Sequence, residues 1–442
     1  MENFFFPRIR HFRTGNESEV ESLYAALFER IDNYEPELRI FEDQKPVHSR
    51  VLSQVREHFL RYPRPEDRPP LFCVPVGVKG IFRTRGERIR AGSLLPADLF
   101  VGEEARVVKE LREQGAIILG ITATTEFAFA APAATCNPNN HAHTPGGSSS
   151  GSAAGVAAGF FPLALGTQTI GSIIRPASFC GITGFKPSYD ILPTEGLLYF
   201  SRSADHVGLF CSSPEETETC LQALVPDFVP CPEPAAIRLG IPRGPYLDQA
   251  LTQTVGKLEQ CLEELAGGKA VSVEVTDIPC LENIAQINKI HEELIAAELA
   301  REHKQWFRRY QPLYRPQTAS CILRGQAGGT GAISAGRKSQ TRLRKTLEAI
   351  LRERGLDAFV APSATGEADR TLNSTGNPIM NLPWTHAGLP VISIPMGTGA
   401  NGLPLGMQLA GGFRQDAKLL AVAKCLFGIL QQPRRGDFRR TL

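Results

Sequence analysis

Pro145-Gly146-Gly147-Ser148-Ser149-Ser150-Gly151-Ser152 and, further along, Gly166-Thr167-Gln168-Thr169-Ile170-Gly171-Ser172-Ile173-Ile174-Arg175-Pro176-Ala177 are the two stretches from which the fold is read. Each is a turn rich in Gly and Ser. Between them, Ser152 to Gly159 is nearly all Ala and Gly. A helix of that composition has no bulky side chains and is stable only when packed closely against other backbone. Phe161 to Leu165 then reads as a buried strand. Helix and strand make a compact βαβ-type unit that brings the two serine turns together.

On the N-terminal side, Leu71-Phe72-Cys73-Val74-Pro75-Val76-Gly77-Val78 reads as a buried strand with Lys79 at its end. A helix over Glu103–Gln114 is closed by Gly115, and Ala116–Gly120 is a second buried strand. An earlier amphipathic helix carries Val20, Leu23, Leu27 and Ile31. On the C-terminal side, 211–355 is expected to be a helical variable region, with helices at Thr252–Leu265, Glu282–His303 and Thr341–Arg354 and a strand at Val271–Val275. The Gly-rich run Arg324–Arg337 is expected to be mobile. Strands at Ala358–Ala361, Val391–Ile394 and Gly406–Leu409 and a helix over Asp416–Leu430 follow. Unbroken apolar strands alternating with helices predict an α/β fold: a central mixed twisted sheet covered by helices on both faces. The expected domain is 1–442, with its core in about 70–210 and 356–430.

Composition narrows the functional classes. Net charge is +2, from 48 basic and 46 acidic residues, so no strong field points to nucleic acid. The ten cysteines form no C-x-x-C pair and no zinc spacing, and read as reduced, buried residues of a cytoplasmic protein without a bound metal. The N-terminus lacks the apolar segment of a signal peptide, and Gly155–Gly166 is too short to span a bilayer.

Serine needs an adjacent base to act as a nucleophile. Neither turn contains a histidine, and the nearby His141 and His143 sit in polar loop. Lysine is the alternative base, provided burial lowers its pKa by roughly 3 units. Lys79 ends a buried strand, where such desolvation is available, but spacing alone does not select it. Two other Gly-rich readings fail on context. Gly147 to Gly151 fits G-x-S-x-G with Ser149 as nucleophile, but polar loop precedes it where a strand is needed. No G-x-x-x-x-G-K-[ST] phosphate loop occurs.

The ordered set Val76-Gly77-Val78-Lys79, Thr124-Thr125-Glu126-Phe127, the two serine turns, Phe179 to Pro187, Trp384-Thr385 and Gly402 to Gln408 resembles the amidase signature family over about 70–442. The resemblance implies a Ser–cisSer–Lys triad. Ser172 would be the nucleophile of an acyl-enzyme, Ser148 the bridging serine after a cis Gly147–Ser148 peptide, and Lys79 the neutral base. It further implies an oxyanion hole of backbone N–H groups at Thr169, Ile170, Gly171 and Ser172, and substrate contacts from Thr124, Thr125 and Ser149. No metal or organic cofactor is implied. The partners expected are a small-molecule amide and water, with no nucleic acid or membrane, and a homodimer is compatible with the family. The alternatives are the glutaminase (A) subunit of a tRNA-dependent amidotransferase and a catalytically inactive amidase-fold binding protein. The chain departs from the family pattern at Gly80 and Gln168, each in place of a frequent Asp, at Arg175, one place late, and at Ile170, where Gly is frequent. If position 170 required positive φ, an isoleucine there would be strained.

Overall fold

A computed structural model describes residues 8–43, 45–267, 272–279 and 281–431. The first seven residues, on which the reading of a missing signal peptide partly rests, lie outside them, as does Val271 of the expected Val271–Val275 strand.

Among the described residues, ten strands form one sheet: β1 (Pro75–Lys79), β2 (Ile117–Thr122), β3 (Leu163–Gln168), β4 (Thr183–Lys186), β5 (His206–Cys211), β6 (Ala236–Arg243), β7 (Ser272–Pro279), β8 (Ala358–Pro362), β9 (Val391–Thr398) and β10 (Pro404–Ala410). Their order is β2-β1-β3-β5-β4-β9-β10-β8-β6-β7. The sheet is mixed. β1 lies parallel to β2 and β3, the middle of the sheet from β3 to β8 is antiparallel, and β8, β6 and β7 are parallel again. Every residue of β1, β2 and β3 is buried, so both faces of this part of the sheet are covered.

The Ala/Gly helix, Ser150–Ala157, packs on β1, β2, β3 and β5. A side chain at Gly151 would run into the Ile40 carbonyl and the Ala123 N–H, so its backbone touches other backbone directly. Gly155 and Gly77 hold the Phe161 ring between them, a Cβ at Gly77 coming within 2.5 Å of it.

The variable region differs from expectation in two ways. Besides the expected strand near 271–275, seen as β7, it supplies a second strand, β6, and both extend the same sheet. Its Gly-rich run is helical, part of a long helix over Pro316–Glu353 interrupted only at Gly329 (φ 56°, ψ −152°). Two of its glycines are used for close packing. A side chain at Gly325 would enter the Ala296 carbonyl, and one at Gly336 would meet Leu294, both on the neighbouring Ile284–Glu302 helix. No helix of the described residues is long and apolar enough to cross a membrane.

Candidate active site

Lys79 closes β1 and is fully buried. Its ammonium nitrogen is 2.7 Å from the Ser148 hydroxyl and 2.8 Å from the Thr167 hydroxyl on β3. Burial lowers its pKa from 10.5 to about 7, while Asp205 nearby pulls weakly the other way. A substantial fraction of the amine is therefore neutral near pH 7. The Gly147–Ser148 peptide is cis. Arg175 donates to the Gly147 carbonyl, to the Gly376 carbonyl at 2.9 Å and to the Thr375 hydroxyl at 3.2 Å, which ties this peptide to the far side of the site.

Ser172 follows β3 and precedes the Ile174–Cys180 helix, and is 8% exposed. Its hydroxyl makes no side-chain hydrogen bond among the described residues, so the link from Ser148 to Ser172 is not closed as a hydrogen bond here. The turn around it is held from outside. The Gln168 side-chain oxygen accepts from the N–H of Ile173 (2.8 Å) and Ile174 (3.0 Å), and its amide nitrogen donates to Thr385 at 2.9 Å. The Thr385 hydroxyl faces the Ile170 carbonyl at 2.7 Å, and His291 Nε2 faces the Thr169 carbonyl at 3.0 Å. A trans peptide directs its C=O and N–H oppositely. Fixing these two carbonyls therefore turns the N–H groups of Ile170 and Gly171 the other way. Among the described residues, none of the N–H groups of Thr169, Ile170, Gly171 and Ser172 has a hydrogen-bond partner in the protein.

The three residues expected at the substrate are internally engaged. Ser149 exchanges hydrogen bonds with the backbone of Thr167 (3.2 and 3.3 Å). The Thr125 hydroxyl donates to the Phe129 carbonyl, and its N–H donates to the Ser148 carbonyl at 3.2 Å. Thr124 lines a cavity of about 420 Å³ that also contains Arg39, Glu42 and Arg315.

The departures from the family pattern resolve individually. Ile170 is not among the residues with positive φ, so the isoleucine is unstrained by the backbone. Gln168 and Arg175 make separate sets of contacts and do not pair. At Gly80 a Cβ would lie 2.5 Å from a Glu42 carboxylate oxygen, so a carboxyl from elsewhere in the chain occupies the space. Burial raises the Glu42 pKa to about 7, against the N–H groups of Gly92 and Arg90, which favour the charged form.

Sequence reasoning missed Thr167, Asp205, His291 and Thr385. Asp205 is fully buried; it accepts from the Thr169 hydroxyl at 2.5 Å and from the N–H groups of Phe200 and Ser201. An aspartate immediately before a buried strand, as here before β5, was the available signal for it. His291 lies on a variable-region helix and had none.

The Amidase family model matches residues 23–420. Curated relatives include the glutamyl-tRNA(Gln) amidotransferase (A) subunit of Synechococcus sp. strain WH7803, 31% identical over 81% of this chain and 83% of the relative. Its counterpart from Nostoc sp. strain PCC 7120 is 30% identical over 89% and 91%. Among solved structures, one described as an amidase has a TM-score of 0.85 at 27% identity, covering 95% of this chain and 98% of the other. The glutamyl-tRNA(Gln) amidotransferase (A) subunit of Thermotoga maritima has a TM-score of 0.74 at 22% identity, covering 96% of each chain. These relatives correct the expectation of a small-molecule amide as partner without nucleic acid, since proteins alike along most of the chain are named as subunits of an enzyme of glutamyl-tRNA(Gln). A near-neutral overall charge points away from nucleic acid, but net charge does not report how charge is distributed over the surface. With the family model spanning nearly the whole chain and the mixed sheet shared with solved amidases, this protein belongs to the amidase signature family.

Proposed function

We propose that the chain hydrolyses a carboxamide C–N bond through an acyl-enzyme on Ser172, and that it does so as the glutamine-hydrolysing subunit of a tRNA-dependent amidotransferase. The observation that carries the chemistry is the run of four unpartnered N–H groups at Thr169–Ser172, adjoining a serine, with a buried amine hydrogen-bonded to a second serine. In this reading neutral Lys79 takes the Ser148 proton while Ser148 takes that of Ser172. The Ser172 oxygen adds to the amide carbon, and the N–H groups of the turn hold the oxyanion. Ser148 returns a proton to the departing ammonia, the C–N bond breaks, and water then cleaves the acyl-enzyme. The segment 211–355 shapes the acyl side of the site over the core strands. Among the described residues, Cys73, Cys180, Cys211 and Cys220 are buried free thiols, which supports a cytoplasmic setting.

The glutaminase reading rests on the names of the relatives aligned along most of the chain. One observation favours a second reading, hydrolysis of a different amide: the likeness to the solved amidase (TM-score 0.85) exceeds that to the solved Thermotoga maritima protein (0.74). Ammonia release from glutamine, measured for the chain alone and with the remaining subunits and glutamyl-tRNA(Gln) added, separates them. Stimulation on addition supports the first; turnover of other amides with glutamine untouched supports the second. A fluorophosphonate serine probe tests the chemistry common to both. Wild type that fails to label, or labelling that persists in Ser172→Ala, removes Ser172 as nucleophile and leaves the inactive binding-protein reading.

A further inference from the structure

His291, on the Ile284–Glu302 helix, and His386, on the Leu382–Ala387 helix, are both fully buried. Their Nδ1 atoms are 3.0 Å apart and the rings stand nearly perpendicular, at 81°. His291 Nε2 reaches the Thr169 carbonyl at 3.0 Å, and His386 Nε2 reaches the Ser339 hydroxyl at 2.9 Å. Ser339 lies on the long Pro316–Glu353 helix, at the wall of a cavity of about 660 Å³ between the two variable-region helices.

The direction of every proton in this row follows from one fixed end. A carbonyl oxygen only accepts, so His291 Nε2 carries the hydrogen. Burial holds His291 at about 4 and His386 lower still, so both rings are neutral at pH 7, each with one N–H. The His291 Nδ1 is then an acceptor, and the hydrogen between the rings belongs to His386 Nδ1. The His386 Nε2 is left as an acceptor, and the Ser339 hydroxyl donates to it. Hydrogen bonds arranged head to tail in this way polarise one another in a low-dielectric interior.

We propose that Ser339, His386 and His291 form a one-directional hydrogen-bond chain that fixes the Thr169–Ile170 peptide from the variable region, making His291 and His386 positioning residues for the oxyanion turn. The proposal rests on the reading of that turn as the oxyanion site. Anchoring the Thr169 carbonyl points the Ile170 N–H away from His291, as Thr385 does for the Gly171 N–H through the next carbonyl. The long helix thereby acts on the reaction without touching the substrate, and its packing against Ile284–Glu302 through Gly325 and Gly336 sets where the chain begins.

Two measurements on the full chain test this independently. In imidazole ¹⁵N spectra, assigned by comparing wild type with His291→Phe and His386→Phe, the proposal requires His291 as the neutral Nε2–H tautomer and His386 as the neutral Nδ1–H tautomer at pH 7. His386 found as the Nε2–H tautomer overturns the chain. In labelling kinetics with a fluorophosphonate probe, His291→Phe is expected to slow modification of Ser172 by about tenfold or more, short of the roughly 10²- to 10³-fold cost of losing an oxyanion donor outright. His291→Gln, which restores a donor at the Nε2 position, is expected to recover most of that rate. Ser339→Ala should lose less than His291→Phe. The pH midpoint of labelling, set by Lys79, should stay in place in all three. His291→Phe that folds and labels like wild type overturns the positioning role, and so does a shifted pH midpoint, which would mean a general disturbance of the site. If wild type itself does not label, the acyl-transfer reading fails, while the tautomers still decide whether the chain exists.

Discussion

At the scale of single residues, the site turns on the protonation of one buried amine. Lys79 binds a proton with a pKa near 7 in the fold and near 10.5 when exposed. Probe labelling of Ser172 is therefore expected to rise with pH through a midpoint near 7, as the neutral amine becomes the dominant form. Lys79→Ala is expected to lower the labelling rate roughly 10²- to 10⁴-fold while the chain stays folded, and near-normal labelling in that variant would remove lysine from the mechanism. The same shift has a consequence for stability. Between about pH 7 and 10.5 the unfolded chain holds the Lys79 proton and the folded chain does not, so this group's contribution makes folding more favourable as pH rises through that window. Denaturant titrations should show wild type gaining stability relative to Lys79→Met from pH 7 to 10; a constant difference would mean the lysine is charged in the fold. Gly80 gives a second residue-scale expectation. Because Glu42 fills the space beside it, Gly80→Asp should destabilise the protein by about 2 kcal/mol or more, and Glu42→Ala added to it should recover part of the loss. Equal melting of Gly80→Asp and wild type would show that Glu42 moves aside freely.

At the scale of elements, composition and packing explain each other best in the Ser150–Ala157 helix. Its lack of large side chains is readable in the sequence, and the structure shows what the lack is for: backbone contact with Ala123 and Ile40, and a seat for the Phe161 ring. Gly155→Ala is expected to cost about 1–3 kcal/mol by overpacking that ring, and Phe161→Leu in the same chain should return some of it; calorimetric melting of the single and double variants is the check. The same logic read the Gly-rich run near 325–336 wrongly. Glycine signals a turn when it supplies φ, yet Gly325 and Gly336 are there because Ala296 and Leu294 press against them. A single stretch of sequence does not distinguish these uses. Strands β1, β2, β3, β8, β9 and β10 were legible because each includes an apolar run. β4, with Gly184 and Lys186, and β6, with Arg238 and Arg243, were not, since central pairing in β4 and flanking parallel strands around β6 outweigh those residues' local preferences.

At the scale of the whole molecule, the proposed site draws on segments that meet only in the fold. Lys79 and Thr167 are 88 positions apart in the chain, and Thr169 and His291 are 122. The glutaminase reading adds a further level: ammonia release from glutamine is expected to increase when the remaining amidotransferase subunits and glutamyl-tRNA(Gln) are supplied, and an unchanged rate would argue for an enzyme that needs no such complex.

The sequence by itself determined the α/β class, the Ala/Gly helix between two serine turns, and the choice of Ser148, Ser172 and Lys79 as candidates, because apolar runs and Gly/Ser turns are local patterns and the family resemblance ordered them. Only the tertiary structure decided which groups hold those candidates. Thr167 against Lys79, Asp205 against Thr169, Glu42 in the space beside Gly80 and the two histidines behind the turn are common residue types in unremarkable surroundings along the chain. Their roles arise from exclusion of water and approach within hydrogen-bond distance, and both are properties of how distant segments pack.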